Sequence, residues 1–159
     1  MKFKILGFVF LLGFSCLQSF AQLMDGQPAV FTQKDSLRGT LSNFRNCYDV
    51  TYYHLAVKIN IEAKTIQGSN SISFKCLSDF EEFQIDLFEN LNIDQILFQG
   101  KALTFKRVYN AVFVKFPNTL LKGQQEKITV FYSGTPTIAK KAPWDGGIVF
   151  SKDENGEPW

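Results

Sequence analysis

From Tyr52 to Cys76 the chain alternates. Tyr53, Leu55, Val57, Ile59 and Ile61 fall on one parity, and Tyr52, His54, Ala56, Lys58 and Asn60 on the other. After a turn at Glu62 to Thr65, Ile66, Gly68, Asn70, Ile72, Phe74 and Cys76 alternate with Gln67, Ser69, Ser71, Ser73 and Lys75. Side chains of a strand point to opposite faces in turn, so a period of two over this length predicts two half-buried strands joined as a long hairpin with one apolar face. The pattern continues downstream. Phe83, Ile85 and Leu87 share a parity, as do Val112, Val114 and Phe116, and then Ile128, Val130 and Tyr132. Ile93 to Phe98 is apolar on both sides, as in a more covered strand. Turn signals stand between them at Gln99-Gly100, Asn110 and Lys122-Gly123. No segment has the apolar spacing of a three-turn helix. The expected fold is all-β, an antiparallel β-sandwich or curved, saddle-like sheet. The 17 phenylalanines suit a pleated sheet with a bulky apolar face.

The first residues have another character. Lys2 and Lys4 precede an apolar run from Ile5 to Phe14, and Ser19-Phe20-Ala21 offers the small residues of a processing site. This pattern predicts a secretory signal peptide over 1–21, cleaved after Ala21. The run is short for a bilayer span, and no span is expected after cleavage. Gly13-Phe14-Ser15-Cys16 is a poor lipoprotein signal, so Cys16 is not expected to carry a lipid. The protein is expected to be secreted or periplasmic. Residues 22–46 form a polar leader without sustained period, expected to be extended, and 47–159 the β domain. The formal net charge of +2 is the contribution of Lys2 and Lys4; beyond the signal peptide 15 basic residues balance 15 acidic ones. Nothing in that balance favours nucleic acid or an anionic membrane surface.

Chemistry-bearing groups are sparse. Cleavage leaves Cys47 and Cys76, which an oxidising compartment allows to form a disulfide; the simpler reading is two buried thiols packed as small hydrophobes. The single histidine, His54, lies on the polar parity of its strand. A zinc site combining His54 with Cys47 or Cys76 is disfavoured, because Cys76 sits on the apolar parity. Asp79, Glu81 and Glu82 form an acidic cluster in a turn, the ordinary place for solvated acids, although paired carboxylates also serve glycosidases. Lys140-Lys141 reads as an exposed loop.

The most distinctive stretch is Ala142-Pro143-Trp144-Asp145-Gly146-Gly147, a glycine-rich turn bearing a large aromatic. Ile148 to Phe150 then reads as a short strand, and Asp153-Glu154-Asn155-Gly156 as a hairpin turn whose returning strand begins at Pro158-Trp159. A hairpin half written there suggests a longer protein cut at this point. Together with Asp35-Ser36-Leu37-Arg38-Gly39-Thr40, Tyr48-Asp49-Val50-Thr51-Tyr52-Tyr53-His54-Leu55 and Tyr132-Ser133-Gly134-Thr135-Pro136, this segment resembles the N-terminal domain of the aminopeptidase N family, zinc aminopeptidases with a thermolysin-like catalytic domain, and is similar to the secreted bacterial branch. Cys47-Tyr48 stands where that branch usually has an aromatic pair. The resemblance runs from about residue 33 to 159.

What it implies is a non-catalytic domain of an enzyme that removes N-terminal residues from peptides. The family's zinc site is His-Glu-x-x-His on a helix with a further Glu downstream, which puts both imidazoles on one face and supplies a base. One histidine cannot provide it. The family's Gly-x-Met-Glu-Asn loop is absent too, and its amine-binding Gln would lie beyond Trp159. No catalytic or metal residue is expected in this chain, and no cofactor; zinc and the peptide substrate belong to the parent enzyme. The expected partner is the missing catalytic domain, with Trp144, Asp145, Gly146 and Gly147 at the junction. An exposed Trp144 could instead serve sugar binding. The alternative is a self-contained secreted β-sandwich module for carbohydrate or protein. Open sheet edges and junction surface near Ile148 to Phe150 also predict marginal solubility.

Overall fold

The alternating segments fold as antiparallel strands in a computed structural model that describes residues 30–159. β1 (Tyr48–Asn60) and β2 (Thr65–Cys76) are the expected long hairpin. Asn60 Oδ1 accepts the Ala63 amide at 2.9 Å and shapes the turn between them. β2 pairs with β8 (Gln125–Gly134), and β8 with β4 (Leu91–Phe98), which carries the two-residue β5 (Lys101–Ala102). The five-stranded sheet has the order β1-β2-β8-β4-β5. A second sheet of three strands is built from β3 (Phe80–Asp86), β6 (Thr104–Val108) and β7 (Ala111–Leu120) in the order β3-β7-β6. Both sheets are open and all pairings antiparallel, as the alternation predicts.

The core forms where the apolar parities of the two sheets meet. Ile72 and Phe74 of β2, Ile128 and Val130 of β8 and Ile96 of β4 face Phe83 of β3 and Val112, Val114 and Phe116 of β7. Phe83 is the hub of an aromatic cluster, with ring centroids 4.7 Å from Tyr48, 5.3 Å from Phe74 and 5.2 Å from Phe116. Tilted and edge-on contacts of this kind add to the burial energy. The residues Gln33–Trp159 form one compact unit.

Two regions depart from the sequence expectation. In place of an extended segment just before the β domain, α1 (Gln33–Gly39) and α2 (Asn43–Asn46) are short helices. They are too short for a sustained period, and tertiary contacts hold them instead. Phe44 meets Phe113 edge-on at 5.4 Å, Gln84 Nε2 donates to the Leu37 carbonyl at 3.0 Å, and Arg45 pairs with Asp86 at 2.8 Å. The outer face of the smaller sheet is thereby covered, which is why Gln84 is buried although it sits opposite Phe83 in parity. The signal peptide and the first part of the leader lie outside the described residues.

The second departure is β1. Its apolar parity is not half-buried: Tyr53, Leu55, Val57 and Ile59 are all exposed. A bulge between Val50 and Tyr52 keeps Val50 and Tyr53 on the inner side, opposite Phe74 and Ile72. Val50 packs against the core, whereas the four residues beyond the bulge are uncovered. Among the described residues no helix is long and apolar enough to cross a membrane.

Candidate domain-junction surface

The loop that follows β8 is built around one carboxylate. Asp145 Oδ2 accepts the backbone amides of Lys140 and, at 2.8 Å, of Lys141. These amides, Lys141 first, hold the Asp145 carboxyl below the usual carboxylate range. The Trp144 amide donates to the Lys141 carbonyl at 2.8 Å, closing the turn. At its base Ile138 and Ile148 form a single parallel bridge, with Ile148 N–H donating to Thr137 and Ala139 N–H to Ile148. Gly147 makes that closure possible. Its φ is +121°, and a Cβ there would lie 2.7 Å from the Thr137 oxygen and 2.8 Å from the Ala139 nitrogen. The pinned loop presents Trp144 with its side chain 87% exposed.

Ile148 to Phe150 is not a regular strand. The single bridge from Ile148 is its only ladder contact among the described residues, because the backbone turns at Gly147 and again near Ser151. The hairpin beyond it does form. Ser151 and Trp159 exchange backbone hydrogen bonds of 2.7 and 2.9 Å, and Asp153 Oδ1 accepts the amides of Asn155 and Glu157. The Trp159 side chain, like that of Trp144, is exposed.

A second uncovered surface lies on the inner face of the larger sheet. Leu55 stands opposite Asn70, Val57 opposite Gly68 and Ile59 opposite Ile66. Where this face meets the end of β3, a cleft of about 490 Å³ opens over Tyr53, Leu55, Asn70 and Ile72, with Arg45 and Asp86 at its rim. Asn70 Oδ1 is buried there without a hydrogen-bond partner. Exposed apolar surface on this scale is what an interface looks like before its partner arrives.

The other singled-out residues do not converge. His54 faces outward opposite Ser71, whose hydroxyl shares a 2.9 Å hydrogen bond with Thr129. Cys47 and Cys76 are unbonded, buried thiols in the shared core, so the disulfide that the compartment allowed is not formed in the structure. Burial pushes the Cys47 thiol up to about 11 and raises that of Cys76 as well. In the acidic cluster, Asp79 accepts the Lys122 amide and Glu81 the Thr119 hydroxyl, so both carboxylates tie strand ends together. Among the described residues no three His, Cys, Asp or Glu side chains gather as a metal site would require.

No protein-family model and no curated protein matches the chain. Solved structures do. The M1 zinc metallopeptidase from Deinococcus radiodurans with a bound Tyr-Ser-Ala substrate superposes at a TM-score of 0.55 and 17% identity, over 71% of this chain and 28% of that one. A two-domain M1 zinc metallopeptidase bound to L-arginine gives 0.54 and 18%, with the same two coverages. The Deinococcus enzyme crystallised as M1 zinc metallopeptidase without a named ligand gives 0.54 and 18%, over 67% and 26%. The fold is one found within M1 zinc metallopeptidases. This chain spans under a third of the length of those M1 enzymes.

Sequence reasoning placed the Trp144 turn but missed the larger surface. The inner parity of β1 looked like core, because alternation marks which residues share a face and not whether anything covers it. The cleft over Asn70 was missed for the same reason. Its only trace in the sequence is a polar residue standing within an apolar parity.

Proposed function

We propose that this chain is the non-catalytic N-terminal β domain of a secreted zinc aminopeptidase, with the catalytic domain outside the sequence described. The observation that carries this is the match of most of the chain to under a third of each M1 zinc metallopeptidase. The tryptophan turn and the two other motifs that resemble the aminopeptidase N family point the same way. Removal of N-terminal residues from peptides, with zinc, is then the work of the parent's other domain. The described residues of this chain do not fit a zinc site, since His54 stands alone on the outer face.

The role of this domain is to cover the catalytic domain and help shape the pocket for the peptide's N-terminus. Trp144 is its anchor. A rigid loop with an exposed indole resembles the aromatic anchors that dominate protein interfaces. The domain takes in the helices from Gln33 onward, because they pack on its smaller sheet. Residues 1–21 act as the signal peptide and direct the parent to the periplasm or the exterior.

An activity assay tests the proposal. The purified chain, supplied with zinc and chromogenic aminoacyl substrates, is expected to show no turnover above buffer. Turnover that a chelator abolishes overturns it.

A further inference from the structure

We propose that the cleft over Asn70, with the open edge of β1 beside it, binds an extended peptide from another molecule, anchored by a neutral aromatic side chain that donates a hydrogen bond, as tryptophan does. Three independent observations meet here. The first is Asn70. Its Oδ1 is buried in the cleft lining with no donor. A buried acceptor without a partner is costly, and an occupant carrying an N–H removes that cost.

The second is the charge of the lining. Arg45 and Asp86 at the rim neutralise each other at 2.8 Å, and the floor of Tyr53, Leu55 and Ile72 is uncharged. A charged anchor would lose its hydration there with nothing to replace it. A purely aliphatic one would leave Asn70 unsatisfied. An indole answers both demands, and the cleft of about 490 Å³ has room for one.

The third is the edge. β1 is the outermost strand of its sheet, with no neighbour on one side. Between Tyr52 and Ile59 it has none of the usual protective devices, no proline and no inward-pointing charge. Its inner row, Leu55, Val57 and Ile59, continues from the cleft and is exposed. An added strand would pair with the β1 backbone and lay alternate apolar side chains along that row, which makes the ligand an extended peptide.

The test uses the full chain and two blocked heptapeptides of alternating valine and threonine. One has a central tryptophan. The other has benzothienylalanine, which keeps the ring shape and lacks the N–H. Calorimetric titration is expected to show the tryptophan peptide binding about tenfold more tightly, the worth of one buried hydrogen bond. Asn70→Leu, with its fold checked by circular dichroism, is expected to erase the difference while still binding both. Leu55→Lys is expected to weaken both. No binding by the native chain, equal binding of the two peptides, or a preference that survives Asn70→Leu overturns the proposal.

Discussion

Asp145 and Trp144 are neighbours with opposite tasks: the carboxylate is spent on the amides of Lys140 and Lys141, while the indole beside it is left in solvent. Asp145→Ala therefore is expected to loosen the loop without touching the core. In a Trp159→Phe background, where Trp144 is the remaining tryptophan, acrylamide quenching is expected to rise and fluorescence anisotropy to fall, with the melting temperature almost unchanged. The same loosening is expected at low pH. The folded-state carboxyl titrates below its ordinary value, so its hold on the loop is complete above that value and is lost as pH falls through the folded one.

Arg107 is expected to be the most sensitive charged residue. Its guanidinium donates to the carbonyls of Leu87, Phe88 and Leu91 at 2.6 to 2.7 Å and to that of Tyr109 at 3.1 Å. It clamps the connection from β3 to β4. Arg107→Ala leaves several carbonyls without donors and is expected to cost about 2–3 kcal/mol in urea unfolding. Arg107→Lys restores one point charge and fewer donors, so it is expected to recover only part of the loss.

Gly68 tolerates no side chain. A Cβ there would sit 2.3 Å from the Ala56 carbonyl oxygen and 3.1 Å from the Tyr132 hydroxyl. The first contact is backbone, so the β1–β2 ladder itself has to shift. Gly68→Ala is expected to destabilise by about 1–3 kcal/mol, as overpacking does. A gain in stability would show the hairpin to be looser than this geometry.

Alkaline pH is expected to weaken the fold before any other pH change does. Burial lifts the Cys47 thiol from 9.0 to about 11 and the Tyr48 phenol from 10.0 to about 12. Unfolded, both groups release protons at their ordinary values, so the unfolded chain binds fewer protons than the folded one in that window. Stability is complete below about pH 9 and declines as pH rises toward 11 and 12. Thermal melts are expected to fall by several degrees between pH 8 and 10.5, and Cys47→Ala to flatten the earlier part of the decline. A flat profile in the native chain would contradict this.

How much of this was legible in the sequence follows from what alternation encodes. The hairpin of β1 and β2, the inner rows of β3, β7 and β8 and the turn at Asp153 to Gly156 are all local, and period and turn chemistry reveal them. The helices at Gln33 and Asn43 were hidden because Phe113 and Gln84 hold them, residues far along the chain. Exposure of Leu55, Val57 and Ile59 was hidden because it depends on how far the smaller sheet reaches. The loop at Trp144 was recognisable by its composition, yet the carboxylate that pins it was not, since capping by Asp145 is a matter of backbone path.

The central claim is that the catalytic half of the protein is encoded beyond this segment. Sequencing the DNA downstream of the codon for Trp159 tests it most directly. A frame in continuation or immediately adjacent is expected to encode His-Glu-x-x-His with a further Glu downstream. A natural stop codon, with no such frame in the neighbourhood, would contradict the account.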